Sequence, residues 1–159
     1  MKSVAISLVL VLSAALACGQ TVEFEDCFED ATLRIDYFHT AHATCDEIAV
    51  DQIYCSDTWA GSPKKLQPPM ENGRYVIKLV DIASNQLIYT QHYLDIVFEY
   101  KGTDSAKAGR KRTYHQSALI PCPRRPALFT VARRDTQHML QPVFKQIIDP
   151  NDRQIKREP

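Results

Sequence analysis

GRYVIKLVDIASNQLIYTQHYLDIVFE, running from Gly73 to Glu99, is the stretch whose reading decides the fold. In its first arm Tyr75, Ile77 and Leu79 share one face of a strand and Arg74 and Lys78 the other, the period-two rhythm of a half-buried sheet. Val76 and Val80 fall on the second face, so that face is not simply wet. Ala83-Ser84-Asn85-Gln86 breaks the rhythm with residues that make local turns, and Leu87, Tyr89 and Tyr93 resume it on a returning arm. A helix fails over the same residues, because Val, Ile, Tyr and Thr dominate and no helical stripe survives past Leu79. Two strands bury too little apolar surface to offset about 1 to 2 kcal/mol of backbone entropy per ordered residue, so more strands must cover this hairpin.

Upstream, Leu33, Ile35 and Tyr37 alternate with Arg34, Asp36 and Phe38 in a strand from Thr32 to Thr40. Ala41 to Asp46 reads as a turn, and Ile48 and Val50 mark a partner strand running to Tyr54. Ser56 to Asn72 carries Gly61, Pro63, Pro68 and Pro69 and is a long ordered loop, anchored by Trp59 with Leu66 beside it. Downstream, Thr103 or Asp104 caps one short helix ending before Gly109. Arg112 to Leu119 is a weaker strand, Pro121, Pro123 and Pro126 punctuate a turn, and Ala127 to Arg134 and Val143 to Ile148 are the last strands. Seven or so short strands with almost no helix predict an all-β, antiparallel two-sheet β-sandwich, with a small closed barrel as the alternative.

The ends of the chain read differently from its middle. Lys2 followed by the apolar run Val4 to Ala17 predicts a signal peptide over residues 1–19 and an exported protein, secreted, periplasmic or cell-surface. Three fates stay open there: cleavage after Ala17, cleavage after Gly19, or a lipid anchor on Cys18. The apolar run is too short for a transmembrane span. Residues 20–150 make one domain, and the charged, apolar-poor residues 151–159 a flexible tail. With 19 basic and 19 acidic residues the chain has no field that would recruit nucleic acid. Besides Cys18 there remain Cys27, Cys45, Cys55 and Cys122, an even number that in an exported protein predicts two disulfides in one of three pairings. A Cys45–Cys55 bridge closing the first hairpin is one such pairing.

No reactive constellation emerges. None of His39, His42, His92, His115 and His138 is followed by Glu, so the metallopeptidase helix motif is missing, and Gly-x-Ser-x-Gly and phosphate-cradling loops are missing too. His39 and His42 stand three apart near a strand end, which turns them to opposite faces as exposed or hairpin-end imidazoles, and they could share a metal only if the turn began between them. Asp36, Asp51, Asp81 and Asp95 are scattered, and Asp36 with Arg34 reads as a surface ion pair. The expectation is a non-enzyme with no cofactor and no metal. Trp59, Tyr89 and Tyr93 are the candidate contacts for a ligand or partner, an aromatic set suited to a carbohydrate- or protein-binding loop surface.

LRIDYFHTAHA at Leu33 to Ala43, DTWAGSPKKL at Asp57 to Leu66, GRYVIKLVDIASNQLIYTQHY at Gly73 to Tyr93, FEYKGTDSA at Phe98 to Ala106 and ALFTVARRD at Ala127 to Asp135 occur in that order along the chain. Together they resemble the N-terminal domain of the secreted IgA-peptidase family, metallopeptidase family sixty-four, from about Phe28 to Pro150. The resemblance implies an all-β N-terminal domain followed by a zinc catalytic domain. The sequence ends nine residues after Pro150, so zinc ligands and general base have no counterparts in it. The resemblance therefore leads to the expectation of a non-catalytic exported module that packs against a protein partner or the missing catalytic domain. Such a module should expose an apolar patch where its partner sits.

Overall fold

A computed structural model describes residues 21–68 and 73–157. The signal peptide and the Cys18 anchor lie outside the described residues, as does Pro69. Eight strands run in chain order: β1 Phe28–His42, β2 Cys45–Asp57, β3 Tyr75–Asp81, β4 Leu87–Tyr93, β5 Arg112–Pro123, β6 Ala127–Arg134, β7 Leu140–Ile148 and β8 Lys156–Arg157. Three short helices join them: α1 Phe24–Cys27, α2 Ile96–Lys101 and α3 Asp104–Lys107. The strands form two four-stranded sheets, ordered β5-β1-β2-β8 and β4-β3-β6-β7, and all neighbours are antiparallel except β2 with β8. The architecture is the expected all-β sandwich.

The hairpin from Gly73 forms as its rhythm dictates. Tyr75, Ile77 and Leu79 are buried on the inner face of β3, whose neighbours are β4 and β6. The turn between β3 and β4 is tied by Asp81, which accepts bonds from the Ser84 amide and hydroxyl at 2.9 and 2.6 Å. Asn85 takes the left-handed backbone this turn needs, at φ 54°. Gly73 starts the hairpin at φ 111°, and a Cβ there would stand 2.6 Å from the Tyr93 carbonyl oxygen, so only glycine fits. Leu33, Ile35 and Tyr37 of β1, with Ile120 beside them on β5, face Ile77, Leu79, Phe129 and Val131 of the other sheet in one continuous core.

Several elements differ from the sequence expectation. β1 and β2 extend past both ends of their aliphatic rows, because β1 lies between two partners that pair it along almost its whole length. Asp51 is an extra residue in β2, at the register shift where Asp36 faces Gln52 and Tyr37 faces Val50. β5 carries Pro121 and Pro123 within the strand, and it tolerates them because it is an edge strand. The tail is not loose through its whole length: Ile155 is buried and β8 pairs with Tyr54 and Cys55 of β2. The predicted disulfides are corrected, since Cys27, Cys45, Cys55 and Cys122 are all free thiols. Cys45 sits opposite His42 and Cys55 opposite Leu33, at the two ends of β2, which puts them about 30 Å apart at strand rise. Cys55 and Cys122 are buried on strands that flank β1, and burial pushes the Cys122 thiol up to about 12.

Candidate docking site

The inward rows of the sandwich turn polar at one end. On β1 the inward row Leu33, Ile35, Tyr37 continues into His39, which is fully buried. In phase with their own inward neighbours, β5 contributes Gln116, β6 contributes Arg133 and β3 begins with Tyr75. Asp46 comes from the start of β2, opposite Ala41, with its side chain 2% exposed. It is the hub: Oδ1 accepts from His39 Nε2 at 3.0 Å and from the Tyr75 hydroxyl at 2.7 Å, and Oδ2 from Lys101 Nζ at 2.8 Å and Arg133 Nη1 at 2.7 Å.

The other ring nitrogen of His39 faces oxygen as well, with Gln116 Oε1 at 3.3 Å and Asp95 Oδ2 at 3.5 Å. Oxygen on both sides calls for a proton on both nitrogens, the imidazolium. Burial alone would lower His39, but its bonds to Asp46 and Asp95 outweigh that and raise it above the ordinary histidine value. Burial would raise both carboxyls; for Asp46 the bonds from His39, Lys101 and Tyr75 prevail, for Asp95 those from His39, the Val97 amide and Gln116, and both end below the usual carboxylate range. Tyr75 is raised, first by burial and then by its bond to Asp46.

This buried cluster grips α2 at both ends. Asp95 is its N-cap, accepting from the Val97 amide at 3.0 Å, and Lys101 at its last position donates to Asp46 and to the Cys45 carbonyl oxygen at 2.7 Å. The segment entering α2 therefore alternates against solvent: Asp95 and Val97 are buried, while Leu94, Ile96 and Phe98 are 78%, 57% and 37% exposed. Next to Phe98 lies a groove of about 540 Å³ lined by Arg74, Glu99, Lys101, Arg133, Arg134 and Asp135. The Arg74 guanidinium stands 4.7 Å over the Phe98 ring. Met139, 60% exposed, donates its amide to Asp135 on the rim of the same groove.

Chemically the cluster is a clamp. A histidine between carboxylates can serve as an acid or base where solvent or a substrate reaches it, and here His39 and Asp95 have fully buried side chains. His39 was expected at the surface; its place in the inward row of β1 is the signal that would have found it. His42, by contrast, stays at the hairpin end, within 3.5 Å of the Thr44 amide. Among the described residues no group of three or more His, Cys, Asp or Glu side chains could hold a metal ion. Asp36 and Arg34 do pair, at 3.3 Å, but not as a surface pair, since Asp36 is buried and also accepts from the Ser117 hydroxyl at 2.6 Å.

The three aromatic candidates lie at the opposite end, or inside. Tyr89 is buried, with its hydroxyl pushed up to about 12 by burial. Tyr93 stacks on Tyr75 at 5.8 Å and points its hydroxyl at that of Tyr37, 3.4 Å away. Trp59 is half-buried, edge-on to Tyr89 at 6.1 Å, in a groove it shares with Phe24, Phe28, Gly61 and Pro63. Its loop is laced to β1: the Trp59 amide donates to Asp30, the Ala60 amide to Thr32, and the Thr32 hydroxyl to the Thr58 carbonyl. Tyr89 and Tyr93 thus serve the core, and only Trp59 keeps a groove beside it.

Fold and site together define a class: a two-sheet β module with a buried ionic clamp under an exposed apolar ledge. The family profile described as Peptidase M64 N-terminus matches residues 23–145, from just before α1 into β7, and the chain belongs to that family. No curated protein matches the chain.

Proposed function

We propose that this chain is a non-catalytic accessory module of a secreted zinc peptidase, acting by packing against a protein partner rather than by turning over a substrate. The observation that carries this is the family match across residues 23–145, which spans both sheets and the clamp. Two features support it: the histidine–carboxylate cluster around Asp46 is sealed from solvent, and the sandwich holds large apolar side chains outward beside it. Export belongs to the same reading, and mass spectrometry of the mature exported protein would report cleavage within residues 1–19 or a lipid on Cys18.

The test is to mix the purified chain with a separately expressed zinc domain of an M64-family peptidase. A partner that binds only the folded module raises its Tm with concentration, and the chain alone leaves casein intact with or without added zinc. Proteolysis by the chain alone would end the non-catalytic reading.

A further inference from the structure

Resting on the accessory-module reading, we propose that the ledge of Leu94, Ile96 and Phe98, with Met139 beside it, is the docking surface, and that its partner is an apolar protein surface edged with carboxylates. The alternation is the first argument. An exposed segment in water keeps its carboxylate out and its aliphatics in, whereas Leu94 to Phe98 buries Asp95 and, of its four apolar side chains, only Val97. Burying Asp95 is costly unless it is paired, and His39, Gln116 and the Val97 amide pair it. The consequence is three large side chains fixed outward on a backbone that cannot turn them in. Prior ordering of this kind lowers the entropic cost of association.

The second argument is composition. Among the described residues the other exposed large apolar side chains, Phe38, Ile82, Leu119 and Ile147, fall on four different segments, while Leu94, Ile96 and Phe98 fall within five residues. An aromatic ring under an arginine, with two exposed aliphatics within four residues of it in the chain, has the make-up of interface hot spots. The third is charge. The groove beside Phe98 has four basic residues, Arg74, Lys101, Arg133 and Arg134, against two acidic ones, Glu99 and Asp135, in a chain that is neutral as a whole. Asp46, bound by Lys101 and Arg133, lowers that excess by one and leaves it positive. Carboxylates on the partner complement it.

Isothermal titration of the full chain with a zinc domain of an M64-family peptidase tests this. Ile96→Ser with Phe98→Ala should weaken binding at least tenfold at unchanged Tm, and Leu94→Ser, at the most exposed position, should weaken it even if the double variant folds poorly. Arg74→Glu should weaken binding and flatten its salt dependence, while Ile147→Ser on β7 should change nothing. Binding by the wild type that ignores the ledge variants would overturn the ledge and leave the accessory-module reading standing. Binding that is indifferent to salt would overturn the acidic partner. No binding by the wild-type chain would overturn both readings.

Discussion

The two ends of the sandwich are closed in opposite ways. At the end where β1 begins, the closure is aromatic: Phe24 meets Phe28 at 5.6 Å, Phe28 meets Tyr89 at 6.5 Å, and Tyr89 meets Trp59 at 6.1 Å. At the end where β1 finishes, Asp46 gathers His39, Tyr75, Lys101 and Arg133, and Asp95 joins from α2. An apolar plug is non-directional and stabilises by area removed from water. An ionic clamp is directional, and the desolvation of its charges consumes most of what the pairing returns. The second end therefore gains in definition of geometry what it gives up in stability, and it is the end that holds a ledge out to solvent.

Substitution of the hub should break this comparison most sharply. Asp46→Ala removes the acceptor of four bonds and leaves His39, Lys101 and Arg133 without their common counter-charge. Leaving buried charges unpaired costs about 3–5 kcal/mol, which denaturant titration would read directly. Nothing at the Trp59 end contributes to that loss.

The plug yields to a smaller change. Gly61 lies flat against the indole, and a Cβ there would stand 2.3 Å from Trp59 Cζ2 and 2.7 Å from Cε2. Because Tyr89 backs the ring edge-on, the indole has little room to give. Gly61→Ala should cost about 1–3 kcal/mol, the scale of overpacking, with a shifted tryptophan emission and an unchanged docking ledge. A variant as stable as the wild type would show that the loop can move as a body.

The hairpins and the Trp59 anchor were largely legible in the sequence; α1 with Phe24 and Phe28, and the clamp, were not. Period two is a local signal, so Leu33-Ile35-Tyr37 and Tyr75-Ile77-Leu79 declared their buried face without any knowledge of partners. The Gly and Pro density after Ser56 likewise announced a loop with Trp59 as its anchor. The clamp bonds residues as far as 87 apart in the chain, as between Asp46 and Arg133, and no spacing encodes that. A fragment of it was readable: carrying the β1 row two residues beyond Tyr37 places His39 inside. Helix α2 was missed because Ile96-Val97-Phe98 has strand propensity, overridden by the Asp95 cap at one end and the Lys101 anchor at the other. The disulfides failed for a tertiary reason too, as the separation of Cys45 from Cys55 comes from one unbroken strand.

The gentlest probe of the two ends is pH, because the shifted imidazole and carboxyls sit at one of them. Asp46 and Asp95 are depressed in the folded chain, so their contribution is present above the unfolded carboxylate value of about 4 and is lost as pH falls through their folded values. His39 is raised, so its contribution is full below the unfolded histidine value of about 6.5 and is lost as pH rises through its folded value. The groups that face it are Asp46 from β2, Asp95 from the cap of α2, Gln116 from β5 and Tyr75 from β3, with Lys101 and Arg133 behind Asp46. The clamp is thus complete in mildly acidic solution, and Tm should fall by a few degrees on going from there to alkaline pH. His39→Gln should flatten that decline, because a glutamine amide can bond Asp46 without carrying a charge to lose, while Gly61→Ala should lower Tm by the same amount at every pH. A wild-type Tm that is level across the alkaline range would mean that His39 is already neutral between its two carboxylates.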